Sequence, residues 1–322
     1  MRRILPSAVK ILISAALLYL AMRKTNFADL AARIDAPSLI WLVAAIIIAF
    51  VQIYASAVRW RDVSEYCGVP LTDSQTLRFS VIGSFFNQTL PSSIGGDAMR
   101  LWLIGRVGGG WRAATYSIFV DRAIGMIALA LIVIVSLPWS YQLIDNAAGR
   151  SALVLVDFAA VVGGLGFLIL GRLKLPWLKR WWVTHHVHAC SVIANRALFS
   201  RDRGLQIMGL SLMVHILSAI IACCVVRAIN APASFGQIFL LLPPVILITL
   251  IPISIAGWGL RETTMGLAFG YAGLAASEGV NVSLLYGAVY FILGAFGGLV
   301  WVFSAEKAAK ASEAAKAPGT IA

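Results

Sequence analysis

Four ionisable side chains stand where strongly apolar sequence is interrupted by proline and glycine: Asp97 and Arg100, three residues apart, and the neighbours Arg261 and Glu262. An ionisable group inside a membrane segment costs roughly 2.5 to 3.5 kcal/mol or more, so such groups pair with one another or line a polar path. The chemistry expected of this set is electrostatic. Arg100 and Arg261 would contact a phosphate, while Asp97 and Glu262 hold the arginines in place or exchange a proton. A plainer reading stands beside it: Asp97 caps a helix and the arginines anchor at the membrane interface. Asn87 and Gln88 add uncharged polar atoms just ahead of Pro91, and these fit a polar path or a bond to a neighbouring helix equally well.

The segments that carry these residues are copies of one pattern. Pro91-Ser-Ser-Ile-Gly-Gly-Asp-Ala-Met-Arg100 and Pro252-Ile-Ser-Ile-Ala-Gly-Trp-Gly-Leu-Arg261 match at proline, serine (Ser254 in the second copy), isoleucine, glycine and arginine, 161 residues apart in a chain of 322. Proline removes an amide donor and glycine permits close approach. Pro91 with Gly95 and Gly96, and Pro252 with Gly257 and Gly259, therefore leave peptide groups outside any regular helix. At membrane depth such groups are tolerated only where protein or a wet cavity satisfies them. Helices restarting near Ala98 and Leu260 would aim their N-terminal amides into that cavity, an arrangement suited to phosphate. Paired interruptions in two halves of a membrane protein point to a central binding site. The alternative is a pair of proline-kinked helices packed on glycines.

Composition supplies the setting. With 60% hydrophobic residues, 12% charged residues and a mean hydropathy of +0.87, the chain has too little polar surface to cover a water-soluble globule. Stretches near the roughly 20 residues needed to cross a bilayer run from Ile4 to Met22, Leu39 to Val58, Thr115 to Leu137, Ala152 to Gly171, Leu205 to Val226 and Leu284 to Phe303. The two interrupted regions, Phe79 to Ile104 and Ile238 to Ala275, fit either re-entrant pairs or pairs of short crossings. Either form returns the chain to the side it came from. The predicted fold is an all-α polytopic membrane bundle of two inverted repeats, about 4–137 and about 152–303, each with one broken segment. That is six full spans and two hairpins, or about 8 to 10 helices counted separately. Residues 1–304 form the membrane domain and 305–322 a cytoplasmic tail of alanine, lysine and glutamate.

Charge orients the bundle. With the N-terminus in the cytoplasm, 19 of the 26 lysines and arginines fall on the inner side and 5 on the outer, leaving Arg122 and Arg261 at or within membrane segments. The positive-inside rule thus predicts both termini in the cytoplasm. The same bias accounts for the net charge of +12 without nucleic-acid binding, and basic inner loops attract anionic lipid. The opening run is read as an uncleaved first span, closed by Arg23 and Lys24, with Lys10 snorkelling. Cys67, Cys190, Cys223 and Cys224 show no metal-ligand spacing. His185, His186 and His188, with Trp177, Trp181 and Trp182, read as an interfacial helix rather than a metal site. No metal or cofactor is expected.

Taken together, Asn-x-x-x-Pro with Gly-Gly-Asp-x-x-Arg at Asn87 to Arg100, Asp121-Arg122-Ala-Ile-Gly125 at the start of the next span, and the looser Pro252 to Glu262 segment resemble the lysylphosphatidylglycerol synthase transmembrane-region family over about residues 5–305. The resemblance implies a flippase-like protein of the bacterial cytoplasmic membrane that moves a polar or charged-headgroup lipid, or a polyprenyl-linked precursor, between leaflets. It implies that Asn87, Pro91, Gly95, Gly96, Asp97, Arg100, Arg122, Gly257, Gly259 and Glu262 line or shape the path; Pro252, Ser254 and Arg261 join them through the repeat. Members that make lysylphosphatidylglycerol carry a soluble aminoacyl-transferase domain after the membrane part. The stretch after Ala305 is too short for one, so synthase activity is not expected. Two other classes of function are weighed against lipid translocation: an accessory subunit for a separately encoded lipid synthase or glycosyltransferase, and a membrane-embedded transferase using Asp97 or Glu262 as base.

Overall fold

The computed structural model describes residues 16, 18–20, 22, 27–90, 95–173, 181–251, 254 and 257–316. In order these form α1 (Phe27–Ala32), α2 (Ala36–Tyr66), α3 (Asp73–Thr89), α4 (Gly95–Arg106), α5 (Trp111–Leu143), α6 (Ala147–Leu170), α7 (Trp182–Leu198), α8 (Gly204–Ala228), α9 (Phe235–Thr249), α10 (Leu260–Tyr271) and α11 (Ala276–Lys316). Among the described residues five helices are long and apolar enough to span a bilayer: Ala36–Tyr66, Trp111–Leu143, Ala147–Leu170, Gly204–Ala228 and Ala276–Ser304. They coincide with five of the six apolar stretches read from the sequence. The sixth, Ile4 to Met22, lies almost wholly outside the described residues, as do Pro91, Ser92, Ser93 and Pro252 of the repeated pattern. The last helix continues past position 304 as far as Lys316.

Local chemistry sets the starts. Asp35 caps α2 by accepting from the Ser38 amide at 2.9 Å, with proline in the first helical turn. α3 and α9 begin with the same reciprocal box: Thr72 and Gln75 in one, Ser234 and Gln237 in the other, each hydroxyl bonding the third amide and each glutamine reaching back. α7 buries Cys190, Ser191, Ala194 and Ala197 and leaves Trp181 and Trp182 exposed, the pattern of a helix lying along an interface.

The interrupted regions resolve into two hairpins. α3 and α4 run antiparallel, as Asn87 meets Gly96 and Ser80 meets Arg100. α9 and α10 do likewise, with Leu241, Leu242 and Val245 packed among Met265 and Phe269. With 17, 12, 15 and 12 residues, these helices are about 18 to 25 Å long at 1.5 Å per residue. Each is shorter than the roughly 30 Å hydrocarbon core.

The halves are inverted about α2 and α8, the most extensively packed pair. Gln52 bonds Ser218, Arg59 reaches Ser211, and Glu65 pairs with Arg203, so one helix ascends as the other descends. Each hairpin then packs on the other half. α3 lies on α11, where Phe86 meets Trp301 edge-on at 5.7 Å, and α9 lies on α5 around Leu131, Val135, Phe239 and Leu240. Small residues such as Ala45, Ala49, Ala219 and Ala222 are fully buried in this core and let the helices approach closely, as membrane packing requires.

Candidate functional site

At the first break, α3 ends and α4 begins with Gly95 and Gly96. The Gly96 amide donates to Asn87 Oδ1 at 2.9 Å, which satisfies one of the N-terminal donors left free where α4 starts. Gly96 is there for space: a Cβ would stand 2.3 Å from the Gly83 carbonyl oxygen and 2.6 Å from the Asn87 amide. Asp97 occupies the first turn of α4, where a negative charge is favoured by the helix dipole. Its carboxylate takes both arms of a fork from Arg122 on α5, at 2.9 and 3.0 Å.

Arg100 is placed differently. Its Nη2 donates to Ser80 Oγ at 2.7 Å and its guanidinium stacks over Trp60 at 4.1 Å, but its closest carboxylate contact is Asp97 Oδ1 at 3.7 Å. A second buried pair stands behind it, with Arg59 Nε donating to Asp121 Oδ1 at 2.8 Å. These groups surround a cavity of about 390 Å³ whose polar lining includes Gln52, Arg59, Asn87, Arg100, Asp121 and Arg122. The size falls in the range of small-molecule and cofactor sites, about 300 to 1,000 Å³. Tyr290 of α11 closes one side and donates to Gln52 Oε1 at 2.6 Å.

At the second break Gly257 and Gly259 hold φ of 80° and 82°, a left-handed backbone that an L side chain adopts only with strain. The Gly259 amide donates to Glu262 Oε2 at 2.6 Å, so Glu262 caps the helix it belongs to. Its other oxygen accepts from Arg261 Nη2 at 2.7 Å and from Ser283 Oγ at 3.0 Å, and Arg261 Nε reaches Ser283 at 3.0 Å. Arg261 lies between the rings of Trp258 and Tyr286, at 5.1 and 5.6 Å. Glu262 is fully buried and the Arg261 side chain keeps 10% exposure. Ser254 is buried, and its hydroxyl meets no partner among the described residues. Trp258 Nε1 donates to Gln88 Oε1 at 3.3 Å, which ties the second break to the end of α3.

The structure thus brings Asn87, Arg100 and Arg122 together in the lining of one cavity, with Gly96 bonded to Asn87 and Asp97 to Arg122 outside that lining, and gathers Gly257, Gly259, Arg261 and Glu262 in a separate knot. The expected partnership of Asp97 with Arg100 is secondary, since Arg122 supplies two shorter bonds. Sequence reasoning passed over Arg59, Trp60, Gln52, Tyr290 and Ser283, and quoted Asp121 in the motif with Arg122 without giving it a role in the site. Asp121 precedes Arg122 in an apolar run and was readable as an intramembrane charge. Arg59 sits at the end of its span, where an arginine is ordinarily an interfacial anchor. The histidines of α7 each have a protein partner: His185 meets Arg112 at 3.5 Å, His186 the Tyr116 hydroxyl at 2.5 Å, and His188 the Leu173 carbonyl at 3.1 Å.

An all-helical, multi-pass membrane bundle with a charged cavity at a helix break defines the class. The chain belongs to the lysylphosphatidylglycerol synthase transmembrane-region family, whose model matches residues 7–298; that family is a membrane region associated with lipid synthesis or flipping. A comparison with curated proteins finds no match.

Proposed function

We propose that this protein moves a lipid with a polar or charged headgroup between the leaflets of the bacterial cytoplasmic membrane, with both termini in the cytoplasm and no covalent chemistry of its own. The observation that carries this reading is Arg100: a guanidinium inside a membrane bundle, facing a cavity, with its closest carboxylate contact at 3.7 Å. An arginine so placed is stabilised by an incoming anion, because the anion replaces solvation the membrane does not provide. Phosphate oxygens on a headgroup would accept from Arg100 and from the outer edge of Arg122, whose side chain keeps 41% exposure. The lipid's chains stay among apolar side chains and neighbouring lipid.

The inverted arrangement supplies the second half of a cycle. Opening of the α9–α10 hairpin, held shut by Trp258 against Gln88, would present a matching path toward the other leaflet. A separately encoded lipid-modifying enzyme would supply the cargo. The test is transfer of a fluorescent phospholipid in proteoliposomes holding the purified chain alone, read as loss of protection from an impermeant quencher. Transfer is expected with the native chain and strong suppression with Arg100→Ala. No transfer of any phospholipid by the folded native protein would contradict the reading.

A further inference from the structure

Asp157 sits in the middle of a membrane-spanning helix with nothing to balance its charge. Ten residues separate it from Ala147 at the start of α6 (157 − 147), about 15 Å at 1.5 Å per residue, which is half of a roughly 30 Å hydrocarbon core. It is 3% exposed, and neither carboxylate oxygen meets a hydrogen-bond partner among the described residues. The other buried carboxylates differ: Asp62, Asp121, Glu262 and Glu278 each pair with an arginine.

Its surroundings are apolar on every side. A Cβ on Gly149 would meet Ile144 and one on Gly164 would meet Ile127, so α5 runs antiparallel to α6 and brings Ile134 level with Asp157. Residues 130–138 of α5 hold no titratable side chain, and neither does any part of α9. α7, with His188 and Cys190, meets α6 only from Phe167 onward, at the Phe167, Leu168 and Leu173 carbonyls. Arg150, two turns earlier on α6, donates to the Ile144 carbonyl at 2.6 Å and lies 4.0 Å from Asp145, and Tyr271 of α10 packs at Gly149. An ionised carboxylate so enclosed would lose its hydration with nothing in return, so the enclosed form carries a proton.

A way in lies beside it. A cavity of about 170 Å³ between α5, α6, α9 and α10 runs from Ile144, Gly149 and Tyr271 at the α5–α6 turn to Leu153 and Val156. Asp157 lies just beyond this lining, one turn past Leu153 on the same face of α6. Ser140 lines the cavity, and its buried hydroxyl has no partner among the described residues. The space exceeds the roughly 10 to 15 Å³ that one water needs, and Ser140, Thr264 and Tyr271 offer polar groups to hold it.

We infer that Asp157 is a proton-binding site, loaded through this cavity from the membrane face at the α5–α6 turn, and that its protonation drives the transport cycle. The proton comes from water at that face, which is the outer one in the orientation proposed above, rests on a carboxylate oxygen, and leaves to the opposite side. The link to movement is α9, whose Leu241, Pro244, Val245 and Ile248 close the cavity over Leu153 and Val156. A hairpin seated there requires a neutral carboxyl; ionisation favours a hairpin that has moved off and admitted water. The driving role rests on the protein being a lipid translocator, whereas the proton site does not.

Two measurements on the full chain test this. Infrared spectroscopy in detergent at neutral pH should show the carbonyl band of a protonated carboxyl, shifted in heavy water and absent in Asp157→Asn. That variant should melt no lower than the native protein, which separates loss of the proton from loss of the fold. Ser140→Leu fills the cavity and should slow the heavy-water shift at least about tenfold. A band unchanged in Asp157→Asn would overturn the site, and an unchanged exchange rate in Ser140→Leu would overturn the entry route. In proteoliposomes, lipid transfer should be fastest with acid on the side of the α5–α6 turn and should lose that advantage with a protonophore. Asp157→Glu should keep the response and Asp157→Asn should lack it. A response that survives in Asp157→Asn, or native transfer indifferent to the gradient, would overturn the coupling. A native chain that shows the band and moves no lipid would overturn translocation and the driving role together, with the proton site upheld.

Discussion

Arg100 and Arg261 hold the same place in the repeated pattern and meet different surroundings. Among the described residues Arg100 looks into a chamber lined by three arginines and one aspartate, with Asp97 bound to Arg122 outside that lining. Arg261 is enclosed by Glu262, Ser283, Trp258 and Tyr286, with its charge matched one to one. The register of the repeat explains part of this. The position 161 residues after Asp97 is Trp258, and that after Arg122 is Ser283, so the ionic fork of the first half becomes an aromatic wall and a hydroxyl in the second. The two breaks share proline and glycine in the sequence and differ in what surrounds the arginine. One break leaves an excess cation at a cavity, and the other locks a neutral pair.

That contrast is open to attack by substitution. The largest effect is expected at the closed knot. Removing one partner of a buried ion pair leaves the other uncompensated at about 3 to 5 kcal/mol, so Arg261→Ala should sharply lower the thermal midpoint in detergent. The double change Arg261→Met with Glu262→Gln should recover much of the loss. Next comes Gly96→Ala, whose Cβ would press on the Gly83 carbonyl. Overpacking of this kind costs about 1 to 3 kcal/mol, and the same melting measurement should register it together with reduced transfer.

Arg122→Gln is expected to separate stability from function. Its side chain is 41% exposed and Asp97 can turn to Arg100, so the melting shift should reflect about 1 kcal/mol or less. Lipid transfer should nevertheless fall, because the leftover positive charge of the chamber is gone. The smallest effects on lipid transfer belong to Thr72→Ala and Ser234→Ala. Both remove the same capping hydroxyl at a cost of about 1 kcal/mol. Equal shifts would show that the halves match up to their hairpins; a marked inequality would place the divergence earlier than the breaks.

Much of the architecture was readable because membrane spans are set by length and hydropathy alone. Leu39 to Val58 and Thr115 to Leu137 each fall inside a described helix. The hairpins were readable as interruptions, since proline and glycine must interrupt helices, but short apolar helices carry no signal for whether they cross or return. Antiparallel contacts such as Asn87 with Gly96 show that α3 and α4 fold back on each other, a geometry shared by a re-entrant pair and a pair of short crossings. The paired capping boxes at Thr72 and Ser234 were a second sign of the repeat, hidden because the motif tolerates either hydroxyl. Within the site, Asp97 and Arg122 were visible as charges in apolar sequence, yet their mutual fork joins residues 25 apart on different helices. Arg59 is the instructive omission. A charge near a span end is usually solvated, and only the fold turns this one inward against Asp121.

The account stands on the first break opening to water while the second is shut. In a variant lacking Cys67, Cys190, Cys223 and Cys224, Ser56→Cys in the chamber and Ser283→Cys in the knot can each be exposed to a charged, impermeant maleimide in proteoliposomes. Rapid modification at position 56, slowed by an anionic phospholipid, with none at position 283, is the predicted result. Equal protection of both positions would mean that Arg100 lies in a dry core and that no headgroup path runs past it.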